Sequence, residues 1–145
     1  MEKSIFAVDA FVGKSILISG GTSGIGAAAA EIFLACGACV VLMGRDEQRG
    51  HGALAALAAG ERARFIAGDV CVAADCAHAV EEAVRAFGGV DVLVNSAGIY
   101  AEGALDDLTE ETLDELIATN IKGTFRLTQA ALPPLRAACG TIVHV

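Results

Sequence analysis

One short glycine run constrains this chain more than any other feature. Ile16-Leu17-Ile18 leads through Ser19 into Gly20-Gly21-Thr22-Ser23-Gly24-Ile25-Gly26, and an alanine-rich stretch then reaches Cys36 without a proline. An apolar run, a tight turn and a helical stretch in that order spell strand, turn, helix. Glycine has no Cβ, so the backbone of such a turn can come close to a ligand. The helix that follows points free N–H groups and the positive end of its dipole at the same place, which suits a phosphate.

The spacing narrows the ligand. A mononucleotide phosphate loop needs Lys-Ser/Thr directly after its last glycine, and here Ala27 follows Gly26. The commoner dinucleotide fingerprint reads G-x-G-x-x-G. Gly20, Gly24 and Gly26 instead read G-x-x-x-G-x-G. That order resembles the short-chain dehydrogenase/reductase family, whose signature is T-G-x-x-x-G-I-G, with Ser19 in the threonine position. The resemblance implies that Gly20, Thr22, Ser23, Gly24, Ile25 and Gly26 surround the pyrophosphate of an NAD(P) cofactor.

The rest of the chain alternates in the same way. Strands are expected at Ser15–Ser19, Cys39–Met43, Ala63–Ala67, Val92–Val94 and Thr141–Val145. Helices are expected over 24–36, with Ile25, Ala28, Ile32, Phe33 and Cys36 at helical spacing, then over 47–59, and over 74–87 with Ala77, Val80, Val84 and Phe87 on one face. A last helix starts at the N-cap Thr109, carries a stripe through Leu113, Leu116, Ile117, Asn120, Ile121 and Phe125, and turns away near Pro133-Pro134. Continuous apolar strands alternating with helices predict α/β architecture with a parallel sheet. The expected fold is a Rossmann-type doubly wound sheet of five strands in order 3-2-1-4-5, cut short after strand five relative to the family. Residues 1–13 read as an N-terminal extension and residues 14–145 as an incomplete NAD(P)-binding Rossmann domain.

A dinucleotide makes demands on the other strand ends. Beyond the second strand an acid would accept the 2′-hydroxyl of NAD, whereas a base would accept the 2′-phosphate of NADP. This chain has Gly44 and then Arg45, which favours NADP over NAD, although a solvated arginine beside a helix start is the plainer alternative. Asp69-Val70 ends the third strand where the family contacts adenine; alone, Asp69 would read as a loop-capping aspartate. Asn95-Ser96-Ala97-Gly98 resembles the family's N-N-A-G. The resemblance implies that Asn95 steadies the sheet and that Ala97 and Gly98 let the cofactor lie against backbone. Ser96 is a departure from that pattern. Asn120 matches the family's helix asparagine, the fourth catalytic member, whose backbone carbonyl holds a water in a proton relay. Without the resemblance it would read as an asparagine bonded to neighbouring backbone.

The implied reaction is hydride transfer between the cofactor and a small-molecule carbonyl or alcohol. It needs a Tyr-x-x-x-Lys pair, in which the lysine lowers the tyrosine pKa toward neutrality, and a serine that orients the oxygen. Tyr100, the sole tyrosine, is followed four positions later by Ala104, and the family carries all three residues beyond strand five. The first expectation is therefore an oxidoreductase represented by its cofactor-binding part. The second is a non-catalytic nucleotide-binding fragment or pseudoenzyme. A methyltransferase would favour tighter glycine spacing and an acid at Gly44.

Composition sets outer limits. The net charge of −8 lacks the basic footprint that nucleic acid requires. Glu31 and Gly37 interrupt the most apolar window, so no membrane span is expected. The five cysteines are odd in number and mostly in apolar settings, which suggests reduced thiols, a cytoplasmic location and no metal site. Cys36-Gly-Ala-Cys39 matches C-x-x-C but lies at a helix C-terminus, where the dipole disfavours thiolate. A bare fifth-strand edge and an uncovered helix face lead to the expectation that the 145-residue chain associates, and that the full-length form is a homo-oligomer.

Overall fold

The computed structural model describes residues 7–145. The expectation for residues 1–6 as part of an N-terminal extension lies outside the described residues. Five strands, β1 (Ser15–Ser19), β2 (Cys39–Gly44), β3 (Ala63–Ala67), β4 (Val92–Asn95) and β5 (Thr141–His144), form one sheet in the order β3-β2-β1-β4-β5. Every pairing is parallel, with Ile16 beside both Val40 and Val92, Val40 beside Ala63, and Leu93 beside Ile142. This is the doubly wound α/β fold expected from the alternation of strand and helix.

All five residues of β1 are buried, because the strand lies at the middle of the sheet and is covered on both faces. The period of two divides them between two cores. Leu17, Val41, Met43 and Leu93 face α3 (Ala73–Phe87) and α5 (Thr124–Ala137), meeting Cys76, Ala79, Val80, Ala83, Leu127, Ala131 and Leu135. Ile16, Ile18, Val40, Leu42 and Val94 face α1 (Gly24–Ala35) and α2 (Glu47–Leu57), meeting Ala30, Leu34, Leu54 and Leu57. Cys76 is wholly buried, and burial pushes its thiol up to about 11, so it is an inert packing group.

Capping chemistry sets several element ends. Asp46 caps α2 by accepting from the Arg49 N–H at 2.9 Å. Thr109 caps α4 (Glu110–Leu116) by accepting from the Thr112 N–H. Gly37 after α1 and Gly88 after α3 take positive φ. At the start of β1, the Asp91 carboxylate bonds the Lys14 ammonium and the Ser15 N–H, each at 2.9 Å. Phe11, N-terminal to β1, packs edge-on against Phe33 of α1.

Several sequence expectations need correction. The buried face of α1 is Gly26, Ala30 and Leu34, while Ile25, Ala28 and Ile32 are exposed. Nearly every residue of this helix is apolar, so periodicity alone does not choose a face; the small side chains win because they let the helix approach the sheet. In α3 the face is Cys76, Ala79, Val80 and Ala83, and Ala77 and Val84 are exposed. Pro133 and Pro134 lie inside α5, which runs on to Ala137. The spacing of buried Leu127, Ala131 and Leu135 holds the helix on the core despite the two missing N–H donors. The long last helix is not uniform either: Ile117–Gly123 forms a π-helical segment between α4 and α5.

Candidate functional site

The sheet reverses its winding between β1 and β4, and the carboxyl ends of the strands open there into a cleft of about 750 Å³. That volume lies within the range of pockets that enclose small molecules and cofactors. The glycine turn after β1 forms its floor. Gly20 takes φ +66°, and a Cβ there would lie 2.7 Å from the Ser96 carbonyl and 2.8 Å from the Ala97 backbone. Gly26 is buried below it, where a Cβ would overlap the Gly20 carbonyl. These two glycines close the loop onto its neighbours. Gly24 differs: its φ is +55°, and nothing lies within 4 Å of where its Cβ would be. Its free side leaves room for a ligand to approach the backbone.

The start of α1 has the electrostatics an anion requires. Its N-cap Ser23 makes no side-chain cap bond, and no acid stands in the first turn. The first N–H groups of the helix are therefore left for another acceptor. By contrast, the first turn of α4 carries Glu110 and Glu111, and the Glu111 carboxyl is held below its ordinary range by its own backbone N–H and the Thr109 hydroxyl.

Strand ends supply the walls. A Cβ at Gly44 would come within 3.0 Å of Thr22 Cγ2 and 3.3 Å of its hydroxyl, so any side chain at this position requires Thr22 to give by a few tenths of an ångström. Arg45 reaches across the cleft to within 3.9 Å of the Asp69 carboxylate. Asp69 also accepts from the Cys71 N–H at 2.8 Å, and its own N–H donates to Asp75 at 2.8 Å. The loop-capping arrangement is thus real, and the same carboxylate still lines the cleft. Val70 packs against Gly123 of the π-helical segment.

After β4, the Ser96 N–H donates to the Ser19 carbonyl and the Ala97 N–H to the Ser19 hydroxyl, each at 3.2 Å. Ser19 in this way ties the two loops on which a ligand would rest. Asn95 is buried, and its Nδ2 donates to the Thr128 hydroxyl at 3.1 Å and lies 3.2 Å from His144 Nδ1, linking β4 to α5 and β5. Asn120 holds the next stretch. Its Oδ1 accepts from the Ile99 N–H and its Nδ2 donates to the Ile99 carbonyl, both at 2.9 Å. Its own carbonyl accepts from the Thr124 hydroxyl at 2.9 Å.

Of the residues singled out in the sequence, Gly20, Thr22, Ser23, Gly24, Ile25, Arg45, Asp69, Val70, Ala97 and Gly98 line this one cleft. Gly26, Asn95 and Asn120 stand behind it as supports. The wall also contains Arg49, Ser96, Tyr100 and Thr119, for which the sequence alone predicts no ligand contact. Arg49 follows the N-cap Asp46 by three positions on a helix that starts at the cleft, and that register was the available signal.

A crevice at the winding reversal, floored by glycines against an uncapped helix start, defines a dinucleotide-binding α/β protein. The sequence profile of the short chain dehydrogenase family matches residues 14–145. The chain belongs to the short-chain dehydrogenase/reductase family, and membership implies binding of NAD(P). It is 37% identical over 134 residues to an oxidoreductase of Thermotoga maritima, covering 92% of this chain and 53% of that protein. It is 39% identical over 135 residues to 2,5-dichloro-2,5-cyclohexadiene-1,4-diol dehydrogenase LinX of Sphingobium indicum, covering 92% and 54%. It is 35% identical over 140 residues to mouse L-fucose dehydrogenase, covering 96% and 50%. Among solved structures, a short-chain dehydrogenase/reductase from Brucella melitensis, described as a glucose/ribitol dehydrogenase, superposes with a TM-score of 0.83 at 36% identity, covering 86% of this chain and 53% of that one. The chain spans about half the length of the curated relatives it matches. Among the described residues, no helix is long and apolar enough to cross a membrane.

Proposed function

We propose that the protein is an NADP(H)-dependent oxidoreductase that interconverts a small carbonyl compound and its alcohol, and that residues 14–145 form its cofactor-binding domain. The observation that carries this reading is the uncapped start of α1 behind Gly24, opening into the same cleft as Arg45. The cofactor, when bound, supplies or accepts the hydride. The chain's own residues bind and orient it.

In this reading the N–H groups at the head of α1 hold the pyrophosphate, with Thr22 and Ser23 beside it. Ala97 and Gly98 offer flat backbone beneath the ribose and nicotinamide side. Asp69 and Val70 border the adenine. Arg45 exchanges its long ion pair with Asp69 for the 2′-phosphate, a fork that fits phosphate oxygens two at a time. Gly44 supports the same choice, since no acid stands at the end of β2 to accept a 2′-hydroxyl. Asn120 positions the loop after β4 and contributes its carbonyl to proton relay, with Thr124 as that carbonyl's first partner.

Side-by-side titration of the full-length protein with NADPH and NADH tests the cofactor assignment. Tighter NADPH binding is expected, and NADH binding as tight or tighter would contradict it. The relatives include a dichlorocyclohexadienediol dehydrogenase and an L-fucose dehydrogenase, so hydroxylated rings are the first substrate class to assay.

A further inference from the structure

We infer that Arg49, and not Arg45 alone, determines the preference for a phosphorylated ribose: the two arginines form a two-sided clamp on the 2′-phosphate. This rests on the cofactor reading above and extends it to a residue outside the glycine turn and the strand end.

The two arginines of the cleft differ in their engagement. Arg45 already faces the Asp69 carboxylate at 3.9 Å. Arg49 lines the same cleft, yet among the described residues its guanidinium has no acceptor. Exposed at the head of α2 in the same cleft wall as Arg45, that guanidinium is available to an anion that enters the cleft. Its backbone is fixed: the Arg49 N–H donates to the Asp46 carboxylate, which anchors the first turn of α2 at the edge of the cleft. The same bond occupies one oxygen of Asp46, an acid of the cleft wall that could otherwise compete for a ribose hydroxyl.

Arg45 leaves the end of β2, and Arg49 lies one helical turn farther along α2. Two guanidinium groups approaching a tetrahedral dianion from different elements can use different oxygens, whereas one fork satisfies at most two. Arg45 must leave a long, exposed ion pair with Asp69 to engage the phosphate, whereas the uncommitted Arg49 adds a second cation without such an exchange. NAD, which presents a hydroxyl at this point, gains little from either residue.

Adenosine 2′,5′-bisphosphate and adenosine 5′-monophosphate isolate this contact, because they differ only in the 2′-phosphate and need no catalysis. Both are titrated calorimetrically into the full-length protein and into its Arg49→Met, Arg49→Lys and Arg45→Met variants. Arg49→Met is expected to weaken the bisphosphate about tenfold, the scale of one charged hydrogen bond, with the monophosphate unchanged and partial recovery in Arg49→Lys. An unchanged bisphosphate affinity in Arg49→Met, or an equal loss for both nucleotides, would overturn the clamp. If the bisphosphate is lost only in Arg45→Met, the cofactor reading survives and the inference about Arg49 does not. If the unmodified protein binds both nucleotides equally, the NADP reading itself fails and takes the clamp with it. Thermal melting of each variant separates binding from folding; the exposed Arg49 side chain predicts no change, and the lysine variant preserves the test should the methionine variant melt early.

Discussion

Gly20 and Gly24 both have positive φ, but they are glycines for different reasons. At Gly20 a side chain would strike the Ser96 and Ala97 backbone, whereas at Gly24 the space is empty and only the backbone angle resists. Gly24→Ala should therefore cost about 1 kcal/mol of stability and Gly20→Ala distinctly more, as read by urea denaturation. A second residue-scale prediction concerns Asp91. Burial alone would raise its pKa, but the bond from Lys14, the Ser15 N–H and the Lys14 charge outweigh that and hold it below the ordinary carboxylate range. A group whose pKa falls on folding stabilises the fold above its unfolded pKa, and that contribution is lost as pH falls through the folded value. Asp91→Asn should thus lower stability near neutrality by about 1 kcal/mol or less, given that Lys14 is half exposed, and the deficit should vanish in acid. Melting curves of both proteins from neutral pH to below the carboxylate range check this.

Among the elements, α2 depends on one missing side chain. Gly50 is its buried residue, and a Cβ there would overlap the Phe65 ring of β3. Gly50→Ala should cost about 1–3 kcal/mol and loosen α2, which carries Arg49 and follows Arg45; weaker NADPH binding should accompany the lower melting temperature. How much of this was legible in the sequence varies with the physics of each element. The order of strands and helices followed from apolar runs broken by glycines, and the caps Asp46 and Thr109 followed from side chains that bond within three residues of themselves. Contacts made across the fold were not legible. The inward face of α1 is chosen by the closeness of the sheet, not by its own pattern, and α5 continues through Pro133 because Leu135 is anchored in the core. The same division holds at the site. The glycine turn, Arg45 and Asp69-Val70 are readable as local motifs, and Arg49 through its register after the Asp46 cap, while the Ser19–Ala97 bond requires the strands to be placed side by side.

For the whole molecule, two features set its behaviour. The first is surface: Ile121 is 64% and Phe125 63% exposed along the last helix, with Leu113 nearby in the same state. Exposed apolar side chains of this kind favour association, so the 145-residue chain should sediment as more than a monomer; a single monomeric species across a concentration series would contradict that. The second is the junction of glycine turn, helix start and strand ends at the winding reversal, on which the functional account depends. Hydrogen–deuterium exchange of the full-length protein with and without NADPH tests it most directly. The account predicts slowed exchange at the amides of residues 20–26, with smaller effects at Asp69-Val70 and Ala97-Gly98. Unchanged exchange over residues 20–26 at saturating NADPH would contradict it.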